Sequence, residues 1–207
     1  LLKWIDPSVT DESDPLSNDP ALDIFNPKNG PPFASQFVSR IRKAQKRRST
    51  LITNRTKKRL LMLRKNLEGP RDEGFIVHRT CADPRFFDLS LDPNDRSLGM
   101  VWGDPRRLNY GARDIARFTT LTSWMSQWSL ESRAHGPNTL ARTSVPVLNL
   151  EFTADTNALP SDIALWSAAA GDRQEFHRII GATHFLINQP EKKSEVGELI
   201  ANWAKRI

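Results

Sequence analysis

A chain of 207 residues with 38% hydrophobic content has room for one large domain or two small ones, and lies outside the disordered range. Its single cysteine, Cys81, excludes an intramolecular disulfide framework and leans toward a reducing, cytoplasmic setting; no apolar run approaches the roughly 20 residues of a membrane span. The net charge of +6 sits in one place: residues 1–30 hold six acids against Lys3 and Lys28, whereas residues 40–65 hold twelve Lys and Arg and no acid.

The opening 34 residues are punctuated by Asp6-Pro7, Asp14-Pro15, Asp19-Pro20 and Asn26-Pro27, and end in Gly30-Pro31-Pro32. Proline removes the preceding residue from helical space, so this reads as irregular chain laid over something else. Its acids lack the alternate spacing, central Gly and closing Glu of a calcium loop and read as solvated turns. A long helix is expected over 35–66, capped by Ser35, with Phe37, Ile41, Ala44, Leu51 or Ile52, Leu60 and Leu63 on its apolar side. Its basic run has no aromatic side chain to stack on bases, which disfavours nucleic acid, and no Trp to anchor a membrane surface. A lid helix whose cations meet solvent or the acidic opening segment is the expected role.

Short strands are expected at Phe75-Ile76-Val77, Phe86–Leu89 and Leu98–Trp102, separated by Asp-Pro turns. His78 beside Cys81 falls short of a zinc site, which wants four ligands at characteristic spacing. Residues 112–132 read as a helix with Ile115, Phe118, Leu121, Met125 and Trp128 on its core stripe and Trp124 beside it.

The richest stretch is 145–186. Val145–Phe152 is a short branched apolar run, the pattern of a buried parallel strand. Pro160-Ser161-Asp162 starts a helix, with Ser161 as its cap, that runs to Gly171. Gln174–Ile180 is a second strand, and Pro190 opens a closing helix with Val196, Ile200, Trp203 and Ile207 on one face. Strand, helix and strand make a βαβ unit whose strand ends share one sheet edge, the edge where α/β proteins bind ligands. Asp155 follows one strand end and His184 the other, so the topology predicts a carboxylate brought to an imidazole: the acid and base of a nucleophilic triad. Asp162 and His177 are weaker rivals, the first at a helix start and the second inside a strand.

These residues resemble the α/β-hydrolase family. A Pro-Val strand closed by Thr153-Ala154-Asp155, followed some thirty residues later by Gly181-Ala182-Thr183-His184-Phe185, is similar to the family's C-terminal half, where the acid and histidine of the triad follow successive core strands. Arg79-Thr80-Cys81-Ala82-Asp83, Gly103-Asp104-Pro105 and Ser123–Leu130 resemble one branch of that family. The resemblance implies a partial α/β-hydrolase fold, with a cap over residues 1–111 carrying the basic helix 35–66, and the last βαβα of the core sheet over 112–207. It implies catalytic roles for Asp155 and His184, an ester, thioester or similar acyl substrate, no cofactor and no metal. The family's Gly-x-Ser-x-Gly elbow is missing, and the chain opens on Leu1-Leu2-Lys3 without methionine. The expectation is therefore a nucleophile lying upstream and a fragment inactive alone. The rival expectation is a non-catalytic module, or truncated gene product, that contacts an acidic partner through residues 40–65.

Overall fold

A computed structural model describes residues 2–111 and 117–207 as a mixed α/β chain. It divides into two compact units, Leu1–Asp88 with Trp102–Ala134, and Leu89–Val101 with His135–Ile207.

The first unit is built on helix α1, Ser35–Lys65. Thirty-one residues without Gly or Pro, bounded by Pro31-Pro32 and Gly69-Pro70, let the helix propagate. Ser35 is its first helical residue rather than its cap: Ala34 holds the cap position, with no side-chain bond. Ile41, Ile52, Leu60 and Leu63 are buried, as the periodicity predicts, but between them the buried face is polar, with Gln45, Arg48, Ser49, Thr53 and Thr56. The irregular opening segment explains this. Chain without a helix or strand ladder leaves carbonyls that need donors. Gln45 Nε2 donates to the carbonyls of Lys3, Ile5 and Ala82, and Arg48 to those of Asp6 and His78. Arg48 also grips the Glu12 carboxylate at 2.7 and 2.9 Å. The opening acids fold their own turns, as Asp6, Asp11, Asp14, Asp19 and Asp23 each accept the N–H two residues on.

Several expected elements differ. Strand β1 is Gly74–Ile76, but Phe86–Leu89 forms no strand, because Asp83 caps and Pro84 starts a 3-10 turn over Pro84–Phe86. Leu98–Trp102 contributes only an isolated bridge at Met100, and a short helix α2, Pro105–Tyr110, follows with Asp104 as its cap. Of the helix expected over 112–132, residues 112–116, and Ile115 with them, lie outside the described residues. The β-branched pair Thr119-Thr120 turns Phe118–Thr120 into strand β2, antiparallel to β1. Thr120 then caps a single turn, α3 (Leu121–Ser123), which runs into a π-helical turn over Trp124–Trp128. Phe118, expected in the core, is 73% exposed, whereas Trp124 is fully buried among Ile5, Ile52 and Val77, its indole N–H donating to Thr53 Oγ1 at 3.1 Å.

The second unit opens with a short helix α4, Gly136–Leu140. It then forms the βαβα run: β3 (Val147–Phe152), α5 (Pro160–Ala170), β4 (Gln174–Ile179) and α6 (Pro190–Ala204). β3 starts past Pro146, which has no N–H for the ladder. β3 and β4 pair in parallel, from Val147 beside Gln174 to Phe152 beside Ile179. On one sheet face Asn149 bonds Ser167 of α5. On the other, Phe152 and Ile179 pack with Val196 and Leu199 of α6. Contact with Ile179 and Leu186 sets which side of α6 faces down, so Leu199 replaces the expected Ile200 and Ile207, which are exposed. Ser161 does not cap α5. It lies inside the helix start and donates its N–H and hydroxyl to the Asp92 carboxylate, at 3.0 and 2.6 Å, so the cap comes from a distant loop.

Candidate active site

Parallel pairing carries both strand ends to one rim, and the ladder continues past them. The Thr153 amide donates to the Ile179 carbonyl and the Ala154 amide to the Ala182 carbonyl. Gly181, at φ +70, makes the turn after β4 that a side chain would strain, and His184 follows on that turn. Gln189 closes the turn from behind. Its Oε1 accepts the Thr183 N–H and hydroxyl, and its Nε2 donates to the Gly181 carbonyl.

On this rim His184 Nδ1 lies 2.8 Å from Asp155 Oδ2. The carboxylate is buried, its side chain 5% exposed, and the imidazole is one-third exposed. The second oxygen of Asp155 accepts the amides of Asn157 and Ala158 at 2.7 and 3.1 Å. One carboxylate oxygen is thus fixed by backbone, leaving the other for the ring. No described residue hydrogen-bonds His184 Nε2, and Phe185 packs edge-on against the ring at 4.7 Å. A carboxylate on Nδ1 keeps the proton there and leaves Nε2 as a lone pair, the form in which histidine accepts a proton.

The rivals fall elsewhere. Asp162 lies in the first turn of α5, and His177 pairs with Glu175 at 2.8 Å on β4. His177 also lines a cavity of about 620 Å³ against α6, which includes neither Asp155 nor His184. In the first unit, burial and then Arg117 hold His78 below the usual histidine range, and Cys81 is buried and in no disulfide. Among the described residues no group of three or more His, Cys, Asp or Glu is placed to hold a metal.

No protein-family model, curated protein or solved structure matches this chain. What the site can do therefore follows from its geometry.

The sequence reading missed the residues that hold the acid loop. Asn94 Nδ2 donates to the Asp155 carbonyl, the Asp95 amide donates to the Thr153 carbonyl, and Thr153 Oγ1 donates to Asp95 Oδ2. Asp92-Pro93-Asn94 is legible as a turn, and nothing in its composition says what the turn leans on.

Proposed function

We propose that Asp155 and His184 are the orienting acid and the base of an acyl-bond hydrolase of the α/β-hydrolase type. The observation that carries this reading is the 2.8 Å contact between Asp155 Oδ2 and His184 Nδ1 at the ends of two adjacent parallel strands. Nε2 takes the proton of a hydroxyl or thiol as that group bonds to the acyl carbon of an ester or thioester. Asp155 stabilises the imidazolium, which then gives its proton to the departing alcohol or thiol. Water, deprotonated by the same Nε2, bonds to the acyl carbon, and the acyl–nucleophile bond breaks as the nucleophile takes that proton back, releasing the acid. This chemistry needs no cofactor, and a small acyl compound is its substrate class.

The nucleophile belongs to a segment outside these 207 residues. In support, the sequence has no Gly-x-Ser-x-Gly elbow, and no described serine, threonine or cysteine bonds Nε2. The β3–β4 sheet has two strands, with open edges and with Phe176, Ile180 and Ile187 exposed around it. No helix among the described residues is long and apolar enough to cross a membrane. Cys81, which is in no disulfide, fits a cytoplasmic setting. The in-frame coding sequence ahead of Leu1 should encode the elbow within roughly 150 residues. The 207-residue chain by itself should not hydrolyse simple esters. Turnover by it that His184→Ala abolishes would move the nucleophile inside the chain and overturn this assignment.

A second reading has its own support. Lys43, Lys46, Arg47, Lys58, Arg64 and Lys65 of α1 are exposed, and no ion pair joins them to a described acid. Such a face suits an acidic partner. Binding to a polyanion should then fall steeply with added salt.

A further inference from the structure

We infer that the loop Leu91–Arg96 is a positioning device for the Asp155–His184 pair, acting through Asp95 and the Thr153 hydroxyl. The inference rests on the dyad reading above. The loop is self-supporting: Arg96 ties it internally, Nη1 donating to the Asp92 carbonyl and Asn94 Oδ1 at 2.6 and 2.7 Å, and Nη2 to the Leu91 carbonyl at 2.7 Å. Besides the Asp92 carboxylate on Ser161, the loop makes outward contacts on both sides of Ala154. The Asp95 amide reaches the Thr153 carbonyl at 2.8 Å and Asn94 Nδ2 reaches the Asp155 carbonyl at 2.9 Å. The peptide unit that precedes Ala154 and the one that follows Asp155 are thereby both held from one loop.

The hydroxyl of Thr153 extends the hold to the histidine. It donates its one proton to Asp95 Oδ2 at 2.5 Å and accepts the Gly181 N–H at 2.8 Å. Thr153 itself is buried, while Asp95 reaches it from an exposed position and Gly181 from a half-buried one. A charged acceptor makes the first bond one of the stronger kind and fixes the direction of the lone pair that receives Gly181. Gly181 opens the turn on which His184 rides. One side chain thus couples the acid loop to the histidine loop, and a misplacement of about 1 Å between reacting groups costs a rate about 10²-fold.

The test is the tautomer of His184, read from ring ¹⁵N shifts of the ¹⁵N-histidine-labelled 207-residue chain at a pH where the ring is neutral. The parent chain should carry its proton on Nδ1. Thr153→Ser, which keeps the hydroxyl, should give the same spectrum. Thr153→Val and Asp95→Ala should give a mixture of Nδ1–H and Nε2–H forms and faster exchange of the Nδ1 proton. If both variants keep a single Nδ1–H form while their melting temperatures fall, the loop only stabilises the fold and the inference is overturned. Asn94→Asp, which keeps the Oδ1 acceptor for Arg96 and removes the Nδ2 donor to the Asp155 carbonyl, decides in the same way if the other two fail to fold. Asp155→Ala separates the two claims: a parent-like spectrum there would sink the dyad reading itself.

Discussion

The two units satisfy their backbone in opposite ways. In the second unit the carbonyls of β3 and β4 meet amides across a regular parallel ladder, and apolar contacts with α6 on one face finish the task. In the first, long irregular chain lies against one helix, and side chains supply the missing donors: Gln45 serves three carbonyls and Arg48 two more. Charge is buried to match. Arg79 and Asp6 meet at 3.4 Å with almost no exposure, and Asp83 takes both Arg42 and Arg85. The first unit is therefore specified by distant polar pairs and the second by a periodic apolar pattern. They should break differently.

The largest effect is expected from Trp124→Ala, which empties the centre of the first unit and orphans the Thr53 hydroxyl. The loss should be about 3–5 kcal/mol. Amide hydrogen exchange should show protection lost along α1 and retained in β3 and β4. Equal loss in both would show that the units melt as one.

Arg48→Ala should cost about 2–3 kcal/mol, since Glu12 stays partly hydrated but two buried carbonyls lose their donor. A urea midpoint at constant slope measures it.

Smaller effects distinguish the buried acids. Burial pushes the Asp83 carboxyl up, but Arg42 and Arg85 overcome it and hold the group below its ordinary value. Its contribution is therefore complete at neutral pH and disappears as pH falls through the folded value. Asp83→Asn should cost about 1–3 kcal/mol at neutral pH and progressively less on acidification. Asp6 has the opposite sign. Burial raises it more than Arg79 and Ser8 lower it, so its contribution is present at acid pH and lost as pH rises through the raised value. Asp6→Asn should cost least at neutral pH. Urea midpoints of the two variants across pH should slope in opposite directions, and parallel slopes would contradict the account.

Smallest of all, Phe176→Thr on exposed β4 should change stability by no more than about 0.5 kcal/mol. It should nevertheless reduce self-association in sedimentation, because the open sheet presents that ring to solvent.

This contrast also explains what the sequence made legible. Period-two and period-3.6 patterns with Pro and Gly stops are local, so β3, α5 and β4 were readable to within two residues and α6 to within three. Strand direction puts Asp155 and His184 on one rim, and the resemblance of their two loops to a known family singles them out from Asp162 and His177. Gln45 and Arg48 look like solvent-facing residues of a basic helix, because their partners lie some forty residues away in sequence. The sequence places Trp124 beside a helical stripe, whereas Thr119-Thr120 turns the chain to strand ahead of the helical turn that carries it. The Asp92–Arg96 loop was visible as a turn, but its grip on Thr153 and Asp155 spans about sixty residues and leaves no periodic trace.

The most direct test of the central claim is acyl-ester or thioester turnover by the polypeptide that carries the nucleophile together with these 207 residues. His184→Ala should lower kcat by about 10⁴–10⁶-fold, and Asp155→Asn by about 10⁴-fold through the wrong imidazole tautomer. Turnover that survives both substitutions unchanged would contradict it.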